Sequence, residues 1–470
     1  MQAKEEVIDQ KAHDTNIMQS EKVVGTETPA HASLLSCWTV MAKTMIGVGL
    51  LGLSCATAYC GWVLGIFLLL VAGAAAMFTL HLLNCMIMQS DKRHVSFYSV
   101  AEKHAPWSRW IVDVAIAIKS LGVGTAYFQV YGTQMTSFIL SMAPGIEANT
   151  MSRFTLRALV ILGGLLIMIP VCFRKSVSKT AIINVCGIVG ITYIVILGIV
   201  YTDVDYSVVG TSMWPLGTFP QIASKIPIFI FTFTCHQNMF LVGEDMKDRT
   251  RRKLDTVALL AELVGLCLFF PSLICPYLTY GGYVKSNFLE SMNANKLINQ
   301  DVAVLCGGLA LAIAEISAYP LQLFPCRKST MVLVTRGQEL SVSLEKKLRR
   351  ILTAVILAVT CLISIFVENL GITLSLVGII GSNTICYIMP TFLYCKAFDR
   401  KNISDRSSRF KWYASAAVCC ISTLLLPICL VAIIYTTING APLALANGTS
   451  GGSLSTAAPP SAFDLDSYED

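Results

Sequence analysis

Residues 42–54 read AKTMIGVGLLGLS, which places a lysine and three glycines inside a long apolar run. Each glycine weakens a helix by roughly 1 kcal/mol relative to alanine, and a lysine at the centre of a membrane helix costs about 2.5–3.5 kcal/mol. Close packing of helices through small residues would explain the glycines alone. A helix that is interrupted near Gly47-Val48-Gly49 would instead line a polar cavity within a membrane.

The composition indicates a protein that crosses a membrane many times. Of the 470 residues, 54% are hydrophobic and only 14% are charged, whereas a soluble domain usually carries about 25% charged residues. The mean hydropathy is +0.65. The basic residues fall in short loops and the cysteines are scattered, so we expect no nucleic acid partner, no metal and no cofactor.

Apolar segments long enough to span a bilayer recur along the chain. The eleven predicted spans are 34–58, 61–88, 109–142, 154–173, 179–201, 221–243, 255–281, 300–326, 348–368, 371–396 and 412–438. They define a transmembrane domain at 33–438, between tails at 1–32 and 439–470 that we expect to be disordered. Because residues 1–32 are polar, we expect no cleaved signal peptide.

Lysine and arginine predict the orientation of the spans, since cytosolic loops carry an excess of these residues. With the N-terminus in the cytosol, the cytosolic loops hold 25 basic residues and the outer loops and span edges hold four. An odd number of spans then places the C-terminus outside. Asn447 lies in a glycosylation sequon of that outer tail, so we predict that it is glycosylated.

The sixth predicted span shows a second sign of interruption. Residues 226–245 read IPIFIFTFTCHQNMFLVGED, with three polar residues in the middle. This span lies five spans after the first, and folds built from two inverted five-helix repeats have broken helices at those positions. We therefore predict an all-α fold with two inverted repeats, broken helices 1 and 6, and an eleventh helix. Free N–H and C=O groups at both breaks could hold the carboxylate and the amine of an amino acid.

Several segments resemble the amino acid/auxin permease family. KTMIGVGLLGL (Lys43–Leu53) is similar to the KGNIGTGLLGLP pattern of proton-coupled members, although Ser54 stands where proline is usual. FTFTCHQNMF (Phe231–Phe240) resembles the F-x-C-H-x-N pattern of sodium-coupled neutral amino acid transporters. Similar resemblances occur at 243–253, 276–289, 319–327 and 375–390, so that the likeness covers roughly 33–438.

The resemblance and the two interruptions together predict where a substrate would bind. The candidate substrate-binding residues are Thr44, Gly47, Val48, Gly49, Tyr127, Phe233, Thr234, Cys235 and His236. In this interpretation Tyr127 closes the pocket over the substrate. His236 has two possible roles, as a hydrogen-bonded core residue or as a proton sensor.

Lys43 is the candidate for ion coupling. Snorkelling towards the cytosol would explain it without a function. In sodium-coupled relatives, however, the resemblance implies a cation site near this position, between helices 1 and 8. A lysine there would replace sodium, which predicts proton coupling and no sodium dependence. Glu315 is the candidate partner of Lys43, with binding of a cationic substrate as its rival role, and Ser317 is the nearest hydroxyl.

Lys119, in the third span, has the same ambiguity, and we interpret it as a residue that snorkels to the cytosol. It therefore does not enter the set of candidate site residues. The sequence places it in AIAIKSLGVGTAYF, about ten residues from the start of the span.

The predicted function is alternating-access transport of free amino acids by a monomer. Two alternatives stay open: an amino acid sensor that binds without net transport, and a sodium-coupled neutral amino acid symporter. A channel is disfavoured because no charged ring or carbonyl filter is visible, and an enzyme because no nucleophile–base pattern appears. We expect the plasma membrane, although a lysosome- or vacuole-like membrane is also compatible. The sequence does not identify which amino acid is carried.

Overall fold

The computed structural model describes residues 32–89, 96–143, 152–173, 181–202, 211–295, 301–336, 338, 340–400 and 405–439, and the elements in these ranges are helices. The α-helices in chain order are α1 (Leu34–Met45), α2 (Leu53–Gln89), α3 (Phe97–His104), α4 (Arg109–Met142), α5 (Arg153–Cys172), α6 (Ala181–Val200), α7 (Phe219–Thr232), α8 (His236–Asp245), α9 (Arg251–Tyr280), α10 (Phe288–Ala294), α11 (Val302–Thr335), α12 (Val342–Phe366), α13 (Leu370–Leu376), α14 (Met389–Ala397) and α15 (Arg406–Asn439). The predicted tails lie outside the described residues, apart from Ala32 and Asn439, and so does Asn447.

Nine helical stretches among the described residues are long and apolar enough to cross a membrane. One of them, Leu34–Gln89, has 56 residues, although about 20 residues are enough to span a bilayer. A shorter apolar helix covers Gly187–Val200. The protein is therefore an all-helical membrane protein with many spans.

The long stretch changes direction at Gly61, inside α2. Gly61 has φ 72° and ψ 158°, a conformation that side chains strongly disfavour. The backbone of Trp214 lies only 2.5 Å from the position that a Cβ of Gly61 would occupy. The flanking amide groups of Trp62 and Val63 donate to Ser212 and Met213. A glycine is thus required where the chain before α7 packs into the bend.

The core is formed by long helices that pack side by side. Helix α11 packs along α4, α9 packs along α2, and α1 contacts α6, α8 and α9. Two short π-helical segments, Val377–Ser382 and Thr384–Ile388, lie between α13 and α14. Such widened turns often occur at functional sites. The first of them packs against α4 and α7.

Candidate functional site

The first interruption lies between α1 and the following helical turn. Helix α1 ends at Met45, Gly47 is extended, and a 3₁₀ turn covers Val48–Gly52 before α2 begins. The last carbonyl groups of a helix and the first amide groups of the next have no partner within their own helix. The chain therefore presents both acceptors and donors near Gly47.

The second interruption lies between α7 and α8. Helix α7 ends at Thr232 and α8 begins at His236, so the break covers Phe233, Thr234 and Cys235. The sequence suggested a break at the polar residues that follow Cys235, and the structure places it just before them. The C-terminus of α7, which carries a partial negative charge, and the N-terminus of α8, which carries a partial positive charge, meet at this break.

The half-helices α1 and α8 are joined to each other. The side-chain amide of Asn238 donates a 2.6 Å hydrogen bond to the hydroxyl of Thr44. At the far ends of the two helices, the Ala32 amide donates to the Asp245 carbonyl, and the Lys247 amide donates to the Ala32 carbonyl. These bonds hold α1 and α8 together along their length.

A cavity lies between the two interruptions. The cavity is narrow: the space between its lining atoms is about 270 Å³ even when the open mouth is counted. It is lined by Thr44, Met45, Gly47, Val48, Gly49, Lys119, Val123, Tyr127, Phe231, Thr234 and Gln322. Backbone that has left helical geometry therefore faces a cavity, as the physics of a bilayer requires.

Six of the nine residues predicted to bind substrate line this cavity. They are Thr44, Gly47, Val48, Gly49, Tyr127 and Thr234. The hydroxyl of Tyr127 is the one neighbour within 4 Å of a Cβ built on Gly47, at 3.9 Å. This places Tyr127 across the cavity from the first break.

The other three predicted residues are fully buried but do not line the cavity. The ring of Phe233 packs edge-on against Phe269, with 5.3 Å between centroids. His236 shares a 2.8 Å hydrogen bond with the hydroxyl of Thr79 on α2. Cys235 is enclosed beside them. Their observed contacts join α8 to the neighbouring helices.

Lys119 was interpreted from the sequence as a snorkelling residue, and this interpretation is wrong. Its side chain is only 2% exposed and lines the cavity. Its ammonium group donates to the side-chain carbonyl oxygen of Gln322 at 3.4 Å. Gly381, in the first π-helical segment, packs against it so closely that a Cβ there would lie 2.5 Å from the Lys119 Cβ. Gly381 is far from Lys119 in the sequence, and its close packing holds this part of α4 in the interior of the protein.

Sequence reasoning also missed four further lining residues. These are Met45, Val123, Phe231 and Gln322. Val123 and Tyr127 follow Lys119 at intervals of four residues, which places all three on one face of α4. Because Tyr127 was already a candidate, this spacing could have identified Lys119 and Val123 as lining residues.

Lys43 and Glu315 are buried near each other behind the cavity lining. Lys43 is 5% exposed and Glu315 is fully buried. No hydrogen bond joins the Lys43 ammonium or either Glu315 oxygen to another described group, and the two residues form no ion pair among the described contacts. A Cβ on Gly187 of α6 would lie 2.9 Å from the Lys43 Nζ. Ser317 is half-buried on the same helix as Glu315.

Proteins with known names are similar to this chain over most of its length. The chain is 24% identical over 396 residues to vacuolar amino acid transporter 5 of Schizosaccharomyces pombe. The aligned region covers 83% of this chain and 91% of that relative. It is 24% identical to vacuolar amino acid transporter 6 of Saccharomyces cerevisiae, over 76% of this chain and 89% of the relative. A putative sodium-coupled neutral amino acid transporter 11 of Bos taurus is 22% identical, over 76% and 74% of the two chains. Residues 30–436 match the family described as transmembrane amino acid transporter protein, and the chain therefore belongs to that family.

Proposed function

We propose that the chain is a secondary active transporter that binds a free amino acid between its two interrupted helices. The observation that carries this proposal is that residues of both breaks line one cavity. Carbonyl groups at the ends of α1 and α7 would bind the amine, and amide groups at the starts of the following helical segments would bind the carboxylate. A small zwitterion carries one partner for each kind of group, so it would match a cavity that presents both.

The proposed architecture has eleven spans in two inverted five-helix repeats plus a final helix. The bend at Gly61 would divide Leu34–Gln89 into two spans, and Gly187–Val200 would belong to the fifth span. The breaks after Met45 and Thr232 would then fall in the first and sixth spans, where such repeats place them. Alternating access would follow from movement of one set of helices against the other.

Opening towards the end of the bundle that contains Ala32 requires the bonds between α1 and α8 to separate. With the proposed orientation that end is cytosolic, because most of the loop lysines and arginines lie on that side. The Asn238–Thr44 bond would then keep the cavity closed to the cytosol in this conformation. Transport would need the bond to break once in each cycle.

We further propose coupling to protons rather than sodium. The Lys43 ammonium lies against Gly187, and Glu315 lies nearby, so three helices enclose two ionisable side chains whose polar atoms are buried. A fixed lysine would repel sodium from this region, which leaves the proton as the coupling ion. A sodium-coupled neutral amino acid symporter is the alternative, since one relative carries that name.

Uptake by the purified protein in liposomes tests both parts of the proposal. Counterflow of a labelled amino acid separates a transporter from a sensor, because a sensor binds without exchange. Replacing sodium by choline between pH 5 and pH 8 then separates the two ions. We expect uptake that persists in choline and rises as the outer pH falls. Uptake that requires sodium and ignores pH would refute the proton mechanism.

The membrane of residence is part of the proposal. The two yeast relatives are named vacuolar transporters, which favours a vacuole- or lysosome-like membrane over the plasma membrane expected from the sequence. A fluorescent fusion of the full chain, imaged with a vacuolar marker and a plasma-membrane marker, distinguishes the two. We expect a monomer, which the mass of the protein in detergent tests.

A further inference from the structure

The cavity carries a positive charge that no described carboxylate balances. Lys119 is the one charged side chain among the eleven lining residues. Among the described residues, no carboxylate oxygen lies within the 4.0 Å of its ammonium group that would make an ion pair. The side chain is only 2% exposed, and a buried charge without an ionic partner is costly in a membrane. The ammonium group therefore lacks an anion.

The hydrogen bond to Gln322 does not replace that anion. Its length of 3.4 Å lies beyond the usual range of about 2.7–3.2 Å for such bonds, and an ammonium group has three donors. The hydroxyl of Tyr127 interacts with the side chain of the same Gln322. The amide of Gln322 is thus shared between two groups that line the cavity, and donors of the Lys119 ammonium stay without a partner.

Lys119 lies beside the second break. Thr234, in the middle of that break, lines the same cavity. Lys119 also lies near Cys235, the residue that directly precedes α8. The start of α8 carries a partial positive charge, and its first amide groups have no carbonyl partner within the helix. An ammonium group and the positive end of a helix are therefore close together, and both favour an anion.

The place of Lys119 is fixed by backbone packing. A Cβ on Gly381 would lie 2.8 Å from the Lys119 Cα and 3.1 Å from its backbone nitrogen. Gly122, three residues after Lys119, is packed at least as closely against Val377 of the same π-helical segment. Residues three apart share one face of a helix. This face of α4 is thus held against the π-helical segment, which keeps the lysine beside the cavity.

We propose that Lys119 binds the α-carboxylate of the substrate, together with the amide groups at the breaks. This inference rests on the proposed function and adds a side chain to the same site. The α-carboxylate is an anionic group that every free amino acid carries, so the lysine would gain its missing partner whichever amino acid enters. Binding would then require a free α-carboxylate.

The α-amide of an amino acid is the ligand that isolates this contact. It keeps the amine, the side chain and nearly the shape of the amino acid, but it carries no negative charge at the carboxyl carbon. Hydrogen bonds between an ammonium group and a carboxylate are roughly twice as strong as those between neutral groups. An α-amide would therefore leave the Lys119 charge unbalanced in the bound state.

Competition in counterflow tests the inference. The full-length protein is reconstituted in liposomes, and exchange of labelled leucine, glutamine, arginine and glutamate is measured, each against its own unlabelled form and its own α-amide. For every amino acid that is exchanged, we expect the α-amide to inhibit at concentrations at least about tenfold higher than the amino acid, the size of one lost charge-assisted contact. Equal inhibition by the α-amide would overturn the inference.

Three variants separate recognition from folding. Lys119→Met should weaken inhibition by the amino acid about tenfold and leave inhibition by its α-amide unchanged, while Lys119→Arg should retain the preference for the free carboxylate. Lys225→Met is the matched control, because Lys225 contacts the ring of Tyr59 at 4.8 Å and does not line the cavity. It should leave the preference unchanged.

Each outcome bears on a different proposal. Equal loss of affinity for the amino acid and its α-amide in Lys119→Met would overturn the inference, because the lysine would then serve the fold or another part of the ligand. A preference for the free carboxylate that persists unchanged in Lys119→Met would assign the carboxylate to the backbone alone, which also overturns it. Lys119→Gln, which keeps a donor for Gln322, replaces that variant if it does not fold. Absence of exchange for all four labelled amino acids would refute the proposed function itself.

Discussion

Gly47 and Gly49 stand two residues apart at the first break, yet a methyl group added to each should have opposite effects. A Cβ on Gly47 would meet nothing closer than the Tyr127 hydroxyl at 3.9 Å, so it would project into the cavity. A Cβ on Gly49 would lie 3.1 Å from the Phe231 ring and 3.2 Å from the Thr232 Cα. Gly47→Ala should therefore obstruct the ligand, and Gly49→Ala should strain the contact between α7 and the 3₁₀ turn.

The loss of stability in Gly49→Ala and the loss of affinity in Gly47→Ala both follow from the cost of overpacking. That cost is about 1–3 kcal/mol for a methyl group added where the space is already filled. In Gly49→Ala this cost falls on the folded protein, because Thr232 is backbone and cannot rotate away. In Gly47→Ala it falls on the bound complex, which raises the half-saturating substrate concentration by about 5- to 150-fold. The conformation of Gly47 is extended, so alanine itself is tolerated.

Two assays separate these effects. Thermal unfolding in detergent reports on the folded protein, and counterflow in liposomes reports on the complex. We expect Gly47→Ala to unfold at the same temperature as the unmodified protein but to exchange only at higher substrate concentration. We expect Gly49→Ala to unfold at a lower temperature. A Gly47→Ala protein with unchanged half-saturation would refute the idea that substrate lies against this break.

Three further substitutions test other parts of the structure. Gly61→Ala should greatly reduce the yield of folded protein, because residue 61 has φ 72° and its new Cβ would lie 2.5 Å from the Trp214 backbone. Gly163→Ala, whose Cβ would have no neighbour within 4 Å, should express normally. Equal yields of the two variants would contradict the role of the bend. Asn238→Ala removes the bond to Thr44, so it should lower stability by about 0.5–1.5 kcal/mol and also alter transport kinetics. Asn293→Ala removes a comparable bond to Gln134 and should affect stability alone. Identical transport kinetics in the two variants would contradict the proposed closure. Lys43→Met combined with Glu315→Gln should abolish the rise in uptake at low pH, and retention of that rise would exclude the pair from proton coupling.

Much of the fold could be predicted because lipid imposes simple rules on a sequence. Apolar runs located the helices, and the glycines near Gly47 located the first break. The second break was placed only approximately, since it begins at Phe233 and ends before the polar residues that suggested it. Polar side chains indicate that a region is not exposed to lipid, but backbone geometry decides which residue leaves the helix. The tails, apart from Ala32 and Asn439, lie outside the described residues, and so does Asn447, so those predictions stay open.

The two buried lysines show why the site was harder to predict than the fold. Lys43 and Lys119 lie at similar distances from the starts of their helices, so snorkelling was plausible for both. Each is instead confined by a glycine from a distant helix, Gly187 in one case and Gly381 in the other. The sequence does not reveal which glycine faces which lysine, because that depends on packing between helices far apart in the chain. The same limit hid Gln322, the hydrogen-bond partner of Lys119.

The central claim is that free backbone groups at two helix breaks bind both the amine and the α-carboxylate of one substrate. The most direct measurement is inhibition of counterflow by three compounds that share a side chain: the amino acid, its decarboxylated amine, and its acid without the amine. We predict strong inhibition by the amino acid and inhibition at least about tenfold weaker by each of the others, since each lost charge-assisted contact costs roughly 1.5–3 kcal/mol. Equal inhibition by either compound that lacks one group would contradict the claim.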